Sequence, residues 1–229
     1  MRSASWMAGS GLVSVSASVV ASVVASVTLT AGTARAEMVY TVGGQTNVLL
    51  DLALLQSAAS LQLTGISDGV ITPGNLGPNS VAFTITSPVS AEFPTTFRYD
   101  SNDFFGTFAG SINHRGTVTF NNSITVGNFE IFFDNGFKVA DRQSGLGVLF
   151  DIALTGATPT AAEFNATGNL LVSSNFASIL LQLGLATSNL TGADVGDASI
   201  QGFNSPIPAP GAIALFGVGA LFGTRSRRR

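Results

Sequence analysis

The chain has 229 residues, 45% of them hydrophobic and 10% charged, with no cysteine and a formal net charge of −3. The missing thiols exclude disulfides, zinc–thiolate centres, iron–sulfur clusters and cysteine nucleophiles. Arg2, Arg35, Arg225, Arg227, Arg228 and Arg229 lie at the two ends, so the stretch between keeps four basic residues against thirteen acidic ones, a balance of −9 that argues against nucleic acid as a partner.

The first element is a leader. Met1 and Arg2 give a positive start, and Gly11 to Thr30 is almost all Val, Ala, Ser and Leu without a charge. Ala34 and Ala36 place small residues where a signal peptidase reads, so cleavage is expected before Glu37 and the signal peptide spans residues 1–36. A first transmembrane helix is the other reading of the same run. Trp6, the single tryptophan, leaves with the leader.

Residues 37–203 read as one domain of strands. Alternation runs through Thr46–Leu55, Ser80–Thr86, Gly116–Phe120, Asn128–Phe133, Gly147–Leu154 and Ala198–Phe203, in segments rich in Val, Ile, Phe and Thr. Gly, Pro, Asn and Asp punctuate them, and Asp134-Asn135-Gly136 between Phe-rich runs reads as a hairpin turn. Gly65 to Asn79 reads as a long loop or irregular edge. A short helix fits Ser174 to Gln182, capped by Ser173 or Ser174, although a strand fits the same residues nearly as well. Many short strands without helical heptads predict an all-β antiparallel sandwich, jelly-roll-like, between an N-terminal signal helix and a C-terminal transmembrane helix. A body of about 170 residues is enough to bury a core without disulfides.

The last element, residues 204–229, has three parts. Pro206, Pro208 and Pro210 stiffen the approach, Ala212 to Phe222 is apolar, and Arg225, Arg227, Arg228 and Arg229 close the chain. Eleven apolar residues fall short of the roughly twenty that a full span needs, and an apolar run backed by arginines halts in a membrane with its positive end inward. A weak span of this kind suits a sorting signal that is recognised and removed.

With Pro208-Ala209-Pro210-Gly211, the apolar run and the terminal arginines, this tail resembles that of the PEP-CTERM family of exported bacterial surface proteins. The family's usual Glu between the prolines is Ala209 here. The resemblance covers residues 205–229 only. It implies processing by an exosortase-type membrane enzyme, after signal peptidase has acted at the other end. It also implies a place at the cell surface, among proteins that accompany exopolysaccharide production.

The body offers a thin chemical inventory. His114 is the only histidine, in a segment that reads as a turn beside Arg115, and no Gly-x-Ser-x-Gly elbow accompanies it. The glutamates are scattered, and no phosphate-binding loop occurs. Two loops carry oxygen ligands that suit calcium: Asp100 with Asp103, and Asp194 with Asp197. The same residues also suit ordinary turn capping. Phe104, Phe105, Phe108, Phe129, Phe132 and Phe133 read as core. With Trp6 removed, only Tyr40 and Tyr99 remain of the usual sugar-stacking rings. The reading is therefore a non-enzymatic, envelope-sorted structural or adhesive protein associated with extracellular matrix or exopolysaccharide. The alternative is an extracellular calcium- or glycan-binding module. Ice binding would need a flat threonine ladder, for which Thr84/Thr86 and Thr117/Thr119 supply two short pairs.

Overall fold

The computed structural model describes residues 37–207. The cleavage residues Ala34 and Ala36 lie outside the described residues, and so do Pro208, Ala209, Pro210, Gly211, Arg225, Arg227, Arg228 and Arg229. The expected signal helix and C-terminal membrane helix fall there too. Among the described residues no helix is long and apolar enough to cross a membrane.

In chain order the elements are β1 (Met38–Leu50), α1 (Leu52–Ala59), β2 (Leu63–Ile66), β3 (Val70–Ile71), β4 (Val81–Ile85) and β5 (Arg98–Asp100). Then come α2 (Phe104–Thr107), β6 (Ile112–Arg115), β7 (Thr117–Phe120), β8 (Ile124–Gly127), β9 (Glu130–Phe133) and β10 (Phe137–Asp141). The series ends with β11 (Gly147–Pro159), β12 (Glu163–Val172), α3 (Ser174–Gln182) and β13 (Asp194–Pro206).

The protein is all-β, as the alternation predicts, but it is a closed antiparallel barrel and not a sandwich. The staves run β1-β4-β6-β9-β10-β11-β12-β13, and β13 returns to β1. Closure rests on β1, which pairs with β13 along one edge and, through Gln45–Val48, with β4 along the other. A sandwich leaves strand edges open; here the first stave joins both flanks and removes them. Periodicity shows which face of a strand is buried and is the same for both architectures, so it does not carry this distinction.

Local chemistry sets the element ends. The alternation through Thr46–Leu55 crosses a boundary: the strand stops at Leu50 and Asp51 caps α1, its carboxylate accepting from the Leu54 N–H at 2.9 Å. Ser173 caps α3, accepting from the Phe176 N–H at 3.0 Å, so the helical reading of Ser174–Gln182 holds. Asn135 and Gly136 take φ of 51° and 137° and turn β9 into β10. Gly44 sits beside a register shift in β1 with φ +122°, and a Cβ there would lie 2.0 Å from the Gln201 carbonyl oxygen. Only glycine permits this close bend of β1 against β13.

The antiparallel pairings send the connections to defined ends. Residues 51–80, 116–129, 142–146 and 173–193 all leave from one end. Their Leu55, Val118, Phe120, Phe176 and Leu180 are buried in the core cluster, so α1, α3 and the small β2-β7-β8 sheet fill that end. The opposite end carries residues 86–111 with β5 and α2, the β9–β10 turn and the β11–β12 turn. It is filled by rings: Phe97 lies 4.9 Å from Phe164, and Tyr99 5.2 Å from Phe104. The Tyr99 hydroxyl is 2.8 Å from the Thr160 carbonyl and accepts from the Asn204 amide at 2.7 Å, tying the rings to the β11–β12 turn and to β13. Burial raises the Tyr99 pKa against these hydrogen bonds, so the phenol keeps its proton.

Candidate functional site

Three places could carry chemistry: the barrel interior, the acidic loops and the outer wall. The interior centres on His114. It lies in β6 and not in a turn, 1% exposed. Its Nδ1 is 2.9 Å from the Phe129 carbonyl, so that nitrogen carries the proton. Nε2 then accepts from the Thr46 hydroxyl at 2.7 Å. Burial drives the imidazole pKa down to about 4, against the Phe129 bond that raises it, so the ring is neutral at pH 7. Both nitrogens are committed. The adjoining cavity, lined by Phe83, Phe129, Val139, Leu149, Leu170 and others, is about 70 Å³. An apolar void that binds benzene measures about 150 Å³ and a typical ligand pocket roughly 300–1,000 Å³, so this hollow is a packing gap.

Of the acidic residues singled out for calcium, Asp100, Asp103 and Asp194 accept hydrogen bonds from neighbouring groups. Asp100 accepts from the Asn102 N–H at 2.9 Å, and Asp103 caps α2 by accepting from the Gly106 N–H at 3.2 Å. Asp194 accepts from the Asn169 amide at 2.6 Å and from the Gly196 N–H at 3.2 Å, while Asp197 is exposed on β13. Among the described residues no three His, Asp or Glu side chains gather in one place. Asp141, which the sequence did not mark, organises a loop. Its carboxylate accepts from the Gly127, Gln143, Ser144 and Leu146 N–H groups and from the Ser144 hydroxyl. Burial works to raise its pKa, but these bonds outweigh burial and lower it.

The outer wall of β1, β13, β12 and β11 is polar. Register places Gln45, Gln201, Asn165 and Thr158 in one row across four strands. Asn47, Ser199, Thr167 and Gly156 form the next, and Leu49, Asp197, Asn169 and Ala153 the third. The loop 72–80 lies over one corner. The Asn75 N–H donates to the Asn47 side-chain oxygen at 2.9 Å, and the Asn75 amide donates to Gln201 at 2.9 Å. With Leu76 as a wall, the floor beside it forms a groove of about 260 Å³ lined by Leu49, Thr155, Thr167, Gly168, Asp197 and Ala198. The apolar half of the alternation does not mark β12. The polar half, Asn165/Thr167/Asn169 beside Asp197/Ser199/Gln201, was the available signal.

The phenylalanines divide. Phe104 and Phe129 are core, Phe108 and Phe132 are half-buried, and Phe105 and Phe133 are exposed at 72% and 51%. Thr84 is exposed while Thr86 is buried, so that pair forms no surface ladder.

No protein-family model matches this chain, and no curated protein sequence does. Among solved structures, the C-terminal domain of HtaA from Corynebacterium glutamicum is similar to it, with a TM-score of 0.47 and 15% identity over 73% of this chain and 99% of that one.

Proposed function

We propose that this is an exported, envelope-sorted protein of structural or adhesive role that holds extracellular polysaccharide on its outer wall. The observation that carries this reading is the array of amides, hydroxyls and a carboxylate across four adjacent staves, at least partly open to solvent except at Asn47, which loop 72–80 buries. Such groups both donate and accept, which is what the hydroxyls of a sugar chain require. A wall of paired strands fixes them at regular spacing with little ordering left to do on binding. Phe203, 58% exposed and in register with Gly43 and Glu163, adds a ring at the edge of the array. The leader and the PEP-CTERM-like tail support the location. Signal peptidase and an exosortase-type enzyme are the expected processing partners.

Affinity electrophoresis in gels containing soluble bacterial exopolysaccharide tests the reading. The protein should be retarded. Thr167→Val combined with Asp197→Ala, both at exposed groove positions, should abolish most of the retardation while leaving the melting temperature in place. Equal retardation of wild type and variant would remove the wall from consideration.

A further inference from the structure

The rings that fill the upper end of the barrel, the end that carries β5 and α2, do not stop at its surface. Phe104 lies 5.1 Å from Phe105 and 5.2 Å from Phe108, and Phe108 lies 5.0 Å from Phe133. Phe105 and Phe133 are the outer members of this series, exposed at 72% and 51%. The core thus extends through touching rings to an aromatic rim.

Both ends of the described chain meet at this rim. The Ser101 N–H, just before α2, donates to the Glu37 carbonyl at 3.2 Å. Val39 pairs with Pro206, and the Ile207 N–H donates to the Met38 carbonyl at 2.8 Å. After Ile207, itself 38% exposed, only residues 208–211 precede the apolar run Ala212–Phe222. Four residues span at most about 14 Å when fully extended. A bilayer's headgroup region is roughly 5–8 Å thick on each side. A domain tethered so briefly presents its tethered end to the lipid.

We infer that the Phe105–Phe133 rim is an interfacial membrane-docking surface, seated in the headgroup region of the bilayer that the tail enters. This rests on reading the tail as a membrane segment. Apolar side chains on a polar domain bind at such an interface by burying shallowly. Among the exposed charges at this end, Glu37, Glu92, Asp103, Asp134 and Glu163 outnumber Arg98, so the surface suits a zwitterionic bilayer better than an anionic one.

The test exploits the single tryptophan. In the full chain carrying Trp6→Phe, one reporter is introduced at a time: Phe105→Trp or Phe133→Trp on the rim, Phe216→Trp in the tail, and Leu183→Trp at the opposite end, where Leu183 is 58% exposed. Each protein is reconstituted in phosphatidylcholine vesicles containing lipid brominated near the top of its acyl chains. The proposal expects quenching of two-fold or more at positions 105, 133 and 216, and none at 183. Quenching at 216 without quenching at 105 and 133 overturns rim docking and leaves the tail reading standing. No quenching at 216 overturns the tail reading, and the proposal falls with it. Blue-shifted emission at 105 and 133 that bromine does not quench, from a protein running as a dimer, assigns the rim to a second copy and also overturns the proposal.

Discussion

His114 shows at the scale of one residue how burial converts a titratable group into a pH-dependent stability term. Its folded pKa of about 4 lies below the ordinary 6.5, so the unfolded chain binds the proton first as pH falls. The stabilising contribution is complete above pH 6.5 and is lost between 6.5 and about 4, by about 3 kcal/mol. Asp141 acts lower. Its folded pKa lies below the ordinary 3.8, so its contribution is present above 3.8 and is lost as pH falls through the folded value. Urea midpoints measured from pH 7 to 4 should therefore fall steadily. In His114→Gln, which cannot titrate, the curve should be lower at pH 7 and flatter across that window. A wild-type midpoint unchanged from pH 7 to 4 would contradict the buried, neutral imidazole. The sequence showed His114 as a lone histidine beside Arg115 and placed it in a turn. Its hydrogen bond to Thr46 spans 68 positions, and such pairings follow only from the register of β1 against β4 and of β4 against β6.

Among the elements, those whose ends are set by neighbouring residues were legible. Ser173 and Ser174 announced the start of α3, and Asn135-Gly136 announced the β9–β10 turn. The error at Asp51 is instructive: Leu50, Leu52, Leu54 and Leu55 satisfy strand alternation and helical spacing alike over so few residues. Only the capping carboxylate separates them. β10 and β12 escaped because Lys138, Asn165 and Asn169 dilute the apolar signal, although each faces outward from a paired strand. The 3-residue β5 is short, yet it carries Tyr99 and precedes α2, so it organises the whole upper aromatic cluster. Phe97, 2% exposed, touches Tyr99, Phe104, Phe108 and Phe164. Phe97→Ala should cost about 3–5 kcal/mol in chemical denaturation. A loss below about 1 kcal/mol would mean that the rings pack independently of one another.

For the molecule as a whole, the strand content was readable and the closure was not. Alternation assigns a buried face to each stave, but whether the first strand returns to the last is decided by pairings such as Thr46 with Ile200 and, across the other edge, Thr46 with Phe83. The polar outer wall was half legible, because its residues alternate with the core. Its groove depends on loop 72–80 folding back through Asn75, which local sequence does not announce. The export reading makes its prediction at this scale. Mass spectrometry of protein recovered from the producing cell's surface should find a chain that begins at Glu37 and lacks Arg225–Arg229. A mature chain retaining Arg229 would make the tail a lasting anchor.

The pairing of Val39 with Pro206 has a mechanical corollary. The two ends emerge side by side on antiparallel neighbours, whose interstrand bonds run across the strands. Tension drawn through both ends therefore loads those bonds in sequence, opening the seam between the first and last staves one rung at a time, as a zip opens. Tension that enters through the tail alone and leaves through the side of the wall spreads over many bonds together. A domain pulled from its C-terminal end and gripped across its flank thus holds in the second geometry, and one pulled by both ends yields in the first.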